Sequence, residues 1–293
     1  MAASNCDILL LGQTLRFVDN PFEQGGEAAT QTDSNGGILI CAGKIKAIGA
    51  GDGLRAAHPR AEVIDYGDKL LVAGFVDAHV HFPQTRIVGS ASGPLLEWLR
   101  QSTFPEEERF ADLSHAAAVA GHFVRRLAAS GTTLSLAYGS VHAEAADVLF
   151  QAMDVAGLRT IAGPVLMDAN APAALLRGPD RALSDIEGLI QRWNGHDGRL
   201  SVALIPRFAL SCTREMLHRA GRLAANHDLW VSTHLSENLE ECRVARELFD
   251  AHDYLSIYED AGMVHAKSVY AHCIHLSDSE WERYKLPYGA VIS

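Results

Sequence analysis

The chain has 293 residues, 48% of them hydrophobic and 21% charged, enough apolar mass for one large α/β domain and too little charge for a disordered tail. With 25 Lys plus Arg against 36 Asp plus Glu, the net charge is −11, which argues against a nucleic-acid backbone or an anionic membrane as the main partner but not against a single base held in a pocket. Five cysteines, scattered and without CxxC spacing, read as reduced thiols of a cytoplasmic protein. The N-terminus lacks the basic and long apolar regions of a signal peptide, and no apolar run has transmembrane length.

The first part of the chain reads as β. ILLLGQTLRFV, GGILICAGKIKAIGAG and AEVIDYGDKLLVAG are short runs rich in Val, Ile and Leu, broken by Gly. PFEQGGEAATQTDSNGG between the first two is polar and Gly-rich, and is expected to be an exposed loop. Residues 1–69 are therefore expected to form a small β-sandwich segment.

From Leu70 strands alternate with helices. The strands are expected at LLVAGFVDAHVH, TTLSLAYGS, RTIAGPVLM, LSVALIPRFALS, LWVSTHLSE and SVYAHCIHL, with a last start at GAVIS. Helical spacing is expected in DLSHAAAVAGHFVRRLAAS, HAEAADVLFQAMDVAG, REMLHRAGRLAANH and NLEECRVARELFDAHD. This alternation implies parallel strands. Residues 70–293 are expected to form a (β/α)₈ barrel of the TIM type, with its site at the C-terminal strand ends and its last strands missing.

The chemistry concentrates at those strand ends. His79 and His81 are two apart on the first barrel strand, so their side chains share a face roughly 6–7 Å apart and can take two corners of one tetrahedral metal. The competing reading is a chance pair among 14 histidines. His234 ends the strand DLWVSTH and is placed to be a third ligand. Glu237, three residues later, fits a general acid/base for a metal-activated water, or a first-turn helix charge. His272 ends the strand SVYAH and can orient the water or ligate the metal, with His275 as a competitor.

Arg207 offers a planar fork of donors, and Phe208 beside it a ring that can stack on a flat heterocycle. A structural ion pair and a core aromatic are the alternatives for these two. Gln84 carries an amide with both donor and acceptor. Trp98 fits a lid over the site, or ordinary packing. Asp77 is a partner of the neighbouring histidines or a strand-end cap.

The segments GFVDAHVHFPQTRIVG, LLEWLRQSTFPEE, IPRFALSCT, THLSENLEE and AHCIHLSDSEWE together resemble the guanine deaminases of the amidohydrolase superfamily, from the first strand to Ser293. The resemblance implies a zinc-dependent hydrolase that converts guanine to xanthine and ammonia. It makes His79, His81 and His234 zinc ligands and Glu237 and His272 catalytic, and it places Gln84, Arg207 and Phe208 against the purine. It also implies a homodimer for the full-length members. Those enzymes carry a metal-binding aspartate at the end of strand eight, whereas this sequence stops at Ser293 inside strand seven. The expectation is thus an open barrel with unpaired edges, low solubility and impaired turnover. Two other readings stand beside this one: a catalytically inactive zinc-binding or interaction fragment, and a deaminase or chlorohydrolase acting on another nitrogen heterocycle.

Overall fold

The computed structural model describes residues 7–90, 93–288 and 291–292, with side chains described as far as Tyr284. These residues fall into two compact units that divide between Gly74 and Phe75, a few residues beyond the division expected from sequence.

The first unit is a four-stranded sheet: β1 (Ile8–Phe17), β2 (Thr30–Cys41), β3 (Lys44–Ala50) and β4 (Glu62–Leu71), in the order β3-β2-β1-β4. β1 and β2 are antiparallel, and so are β2 and β3, while β4 joins β1 in parallel. The β2–β3 hairpin turns at Ala42 and Gly43, both at positive φ (49° and 74°), as a tight two-residue turn requires. The polar stretch expected to be a loop runs into strand from Thr30 onward. Only a one-turn helix, Pro21–Gln24, precedes β2, and Thr30–Asp33 pair with Thr14–Phe17 of β1 across an irregularity after Gly12. Ladder hydrogen bonding to β1 outweighs the weak strand propensity of that sequence.

The second unit is a curved parallel sheet flanked by helices. Its strands are β5 (Phe75–His81), β6 (Thr132–Tyr138), β7 (Arg159–Gly163), β8 (Val165–Leu166), β9 (Leu200–Pro206), β10 (Trp230–Leu235), β11 (Ser268–His272) and β12 (Val291–Ile292). They run in the order β12-β11-β10-β9-β7-β6-β5, with β8 paired to β9. This is the β/α order of a barrel read from the sequence. Two runs that looked continuous are each broken. LLVAGFVDAHVH splits between the end of β4 at Leu71 and the start of β5 at Phe75, across the Val72–Gly74 connection. RTIAGPVLM splits at Pro164, which has no N–H to give a ladder.

The helices cover the sheet with one apolar stripe each. Helix Leu113–Ala129 buries Ala116, Val119, Ala120, Phe123, Val124 and Leu127, the 3–4 residue spacing of one helix face. Its N-cap, Asp112, accepts from Ser114 N at 2.8 Å. Burial of a side chain such as Phe123 contributes about 1.5–3 kcal/mol. Helix Arg214–His227 starts at Thr213, whose hydroxyl accepts from Met216 N. Among the described residues no helix is long and apolar enough to cross a membrane. Cys41, Cys212, Cys242 and Cys273 are free thiols, and Cys6 lies outside the described residues.

Candidate active site

Parallel strands deliver their C-terminal ends to one rim, and the register sets which side chains meet there. His81, the last residue of β5, pairs with Tyr138, the last of β6. Leu235 of β10 pairs with His272 of β11, and His234 with Ala271. The result is one cleft of about 190 Å³, lined by His79, His81, Gln84, Leu95, Trp98, Leu99, Arg207, Phe208, His234, Glu237 and His272. It brings together His79, His81, His234, Glu237, His272, Gln84, Arg207 and Phe208 and has room for one small planar molecule. His275, the competitor of His272, is exposed and lies outside it. Asp77 accepts from the His79 backbone N–H at 3.3 Å and is not part of the lining.

His79, His81 and His234 form the inner wall, each offering a ring nitrogen within 4.8 Å of the others. His81 Nε2 and His234 Nε2 are 3.1 Å apart. His234 donates Nδ1–H to the Arg207 carbonyl at 2.5 Å, which leaves its Nε2 lone pair facing the cleft. Burial is the main cause that holds all three imidazoles neutral. His79 sits at about 4, with His272 and Arg207 adding to the effect, while His81 and His234 lie well below the usual histidine range. Nδ1 of His79 and of His81 is buried without a hydrogen-bond partner. Three converging neutral imidazoles, whose nearest ring nitrogens have one another and, among the described residues, no carboxylate for neighbours, fit a divalent cation. Below them Tyr138 places its ring 4.7–4.9 Å from all three, its hydroxyl held by Ser232 at 2.8 Å.

Glu237 and His272 stand beside this triad. His272 Nε2 is 3.5 Å from Glu237 Oε2, with side chains 28% and 26% exposed, and the His272 ring lies 5.3–5.4 Å from those of His79 and His234. Burial raises the Glu237 carboxyl above its ordinary value, opposed by Arg207, and lowers His272. The segment carrying Glu237 is pinned from behind. Glu241 Oε2 accepts from the backbone N–H of Glu237 and of Asn238, each at 3.1 Å, and Tyr254 donates to its other oxygen at 2.7 Å.

The remaining wall is Arg207, Phe208, Gln84, Leu95, Trp98 and Leu99. Arg207 is an ion pair and a pocket residue at once: Nη1 donates to Glu107 Oε1 at 2.6 Å, with both side chains buried. Phe208 is 7% exposed and also lines the cleft. Trp98 lines the cleft as well, and its Nε1–H is buried without a partner. The helix that carries it, Leu95–Trp98, runs into a π-helical turn at Leu99–Thr103, a distortion frequent at functional sites. Sequence reasoning missed Glu107 and Tyr138. Only the need of a buried arginine for a counter-charge pointed to Glu107, and nothing in the sequence said which acid supplies it.

A parallel β/α barrel sheet whose strand ends gather three imidazoles, a carboxylate and an arginine defines the metal-site class of α/β-barrel proteins. The model of the amidohydrolase family matches residues 70–287, and the chain belongs to that family. The guanine deaminase of Escherichia coli strain K12 is 40% identical over 271 residues, 92% of this chain and 61% of that protein. A crystal structure of guanine deaminase from Bradyrhizobium japonicum matches with a TM-score of 0.94 at 35% identity, covering 98% of this chain and 62% of that one. One from C. acetobutylicum, with guanine bound in its active site, matches with a TM-score of 0.90 at 27% identity, covering 98% and 67%. The chain thus spans about three fifths of the length of the first two relatives.

Proposed function

We propose that the cleft hydrolyses guanine to xanthine and ammonia, with zinc held by His79, His81 and His234. The observation that supports this best is that one cleft is lined both by neutral imidazoles with an acid and by Arg207, Phe208 and Gln84, groups suited to a flat polar ring. The likeness to guanine deaminases is in keeping with it.

When bound, zinc lowers the pKa of a coordinated water to about 7 and withdraws charge from the carbon under attack. The chain's own residues do the rest. Phe208 stacks on the purine, and Arg207 and Gln84 meet its polar edge, which turns the amino-bearing carbon toward the imidazole wall. Glu237 accepts the proton of the attacking water and returns it to the ring or the leaving amine, which departs as ammonia. A carboxyl raised by burial is matched to that double task near neutral pH. His272, against Glu237, holds the acid in place and contacts the attacking water.

A panel of bases tests this reading. The zinc-loaded chain is expected to release ammonia from guanine and not from cytosine or adenine. Ammonia from either of those with none from guanine would show that the pocket reads another heterocycle.

A further inference from the structure

Arg207 is 3% and Glu107 0% exposed on their side chains, so the pair is shut away from solvent on every side but the cleft. Removing water from two charges costs far more than an ordinary hydrogen bond returns unless the geometry is tight. Here it is tight: the contact is 2.6 Å, and the Phe104 ring lies 5.5 Å from the guanidinium carbon. The second Glu107 oxygen is buried without a hydrogen-bond partner of its own. Burial raises the Glu107 carboxyl above its ordinary value, and Arg207 and then the Gln84 amide oppose that shift by favouring the charged carboxylate. One acid thus stands behind two of the residues that line the polar wall, and it does not line the cleft itself.

A lone arginine in a buried cleft would be an anion trap, because its field is poorly screened there. With Glu107 behind it, the guanidinium still offers its remaining N–H donors, while its net charge is cancelled within hydrogen-bond distance. Building on the reading of the cleft as a heterocycle site, we propose that Glu107 is a positioning residue with a second task. It fixes Arg207 and Gln84 and neutralises the polar wall, so that the cleft takes an uncharged planar heterocycle and turns away anionic ones of the same shape.

The test is calorimetric binding of two oxopurines at neutral pH, hypoxanthine (uncharged) and urate (anionic), to the zinc-loaded native chain and to Glu107→Gln. The native chain is expected to prefer hypoxanthine. In Glu107→Gln the hypoxanthine-to-urate preference is expected to fall by about tenfold or more, because the uncompensated guanidinium attracts the anion. A purely structural role would weaken both ligands alike, and an unchanged preference in a folded variant overturns the proposal. Should Glu107→Gln not fold, Glu107→Asp decides: retracting the carboxylate by one methylene is expected to cost hypoxanthine about tenfold in affinity at unchanged zinc content, and undiminished affinity overturns the positioning role. A native chain that binds zinc but neither purine overturns the heterocycle reading, and the proposal with it.

Discussion

His234 donates its Nδ1–H to the backbone carbonyl of Arg207 at 2.5 Å, so one hydrogen bond joins the imidazole wall of the cleft to its polar wall. The bond fixes the His234 tautomer, and it ties that ring to a residue whose side chain lines the cleft. A change at either residue is therefore felt on both walls.

Exchanging an imidazole of the triad is expected to weaken metal binding before it unfolds the chain. His81→Ala is expected to lower zinc affinity more than about 100-fold, beyond the loss typical of residues that only support a ligand. Metal content by atomic absorption checks it. The metal-free protein also carries an acid liability. The His79 pKa is lowered by burial to about 4 from an unfolded value near 6.5, so the unfolded chain binds the proton first as pH falls. This contribution to stability is present above about pH 6.5 and is lost between there and about pH 4, amounting to roughly 3 kcal/mol at most. Denaturant midpoints of metal-free protein at pH 7 and pH 5 should differ in that direction, and saturating zinc should shrink the difference.

Glu237→Gln keeps the shape of the side chain and takes away the proton carrier. Turnover is expected to fall about 10²–10⁴-fold, with zinc content and hypoxanthine binding close to native. Steady-state kinetics beside a metal assay separates the two. A large loss of zinc would make Glu237 a ligand instead.

His272 sits at φ +75°, and the next N–H, of Cys273, bonds back to the Ala271 carbonyl at 3.1 Å. That is a γ-turn of the strained, positive-φ kind, placed at a catalytic candidate. Only glycine adopts this conformation without strain. His272→Gly is therefore expected to melt higher than His272→Ala by about 1 kcal/mol of stability, the reverse of the usual order for these residues. Both variants are expected to lose activity.

Much of this site was legible in the sequence because strand periodicity and register are local. His79 and His81 share a face by spacing alone, and His234 and His272 fall at the ends of apolar runs that read as buried parallel strands. The course of β2 was not legible, because its polar residues are made into strand by a partner more than a dozen residues away. The roles of Arg207 and Trp98 were not legible either. Whether an arginine is an ion pair or a pocket donor depends on Glu107, 100 residues away, and here it is both. The strain at His272 leaves no trace in composition, since positive φ is uncommon for any residue but glycine.

The most direct test of the central claim is conversion of guanine to xanthine by the purified chain, followed by ultraviolet absorbance with and without zinc. Turnover is expected with zinc and is expected to be lost on chelation and in His81→Ala. Folded, zinc-loaded protein that binds guanine and leaves it unchanged would contradict that claim.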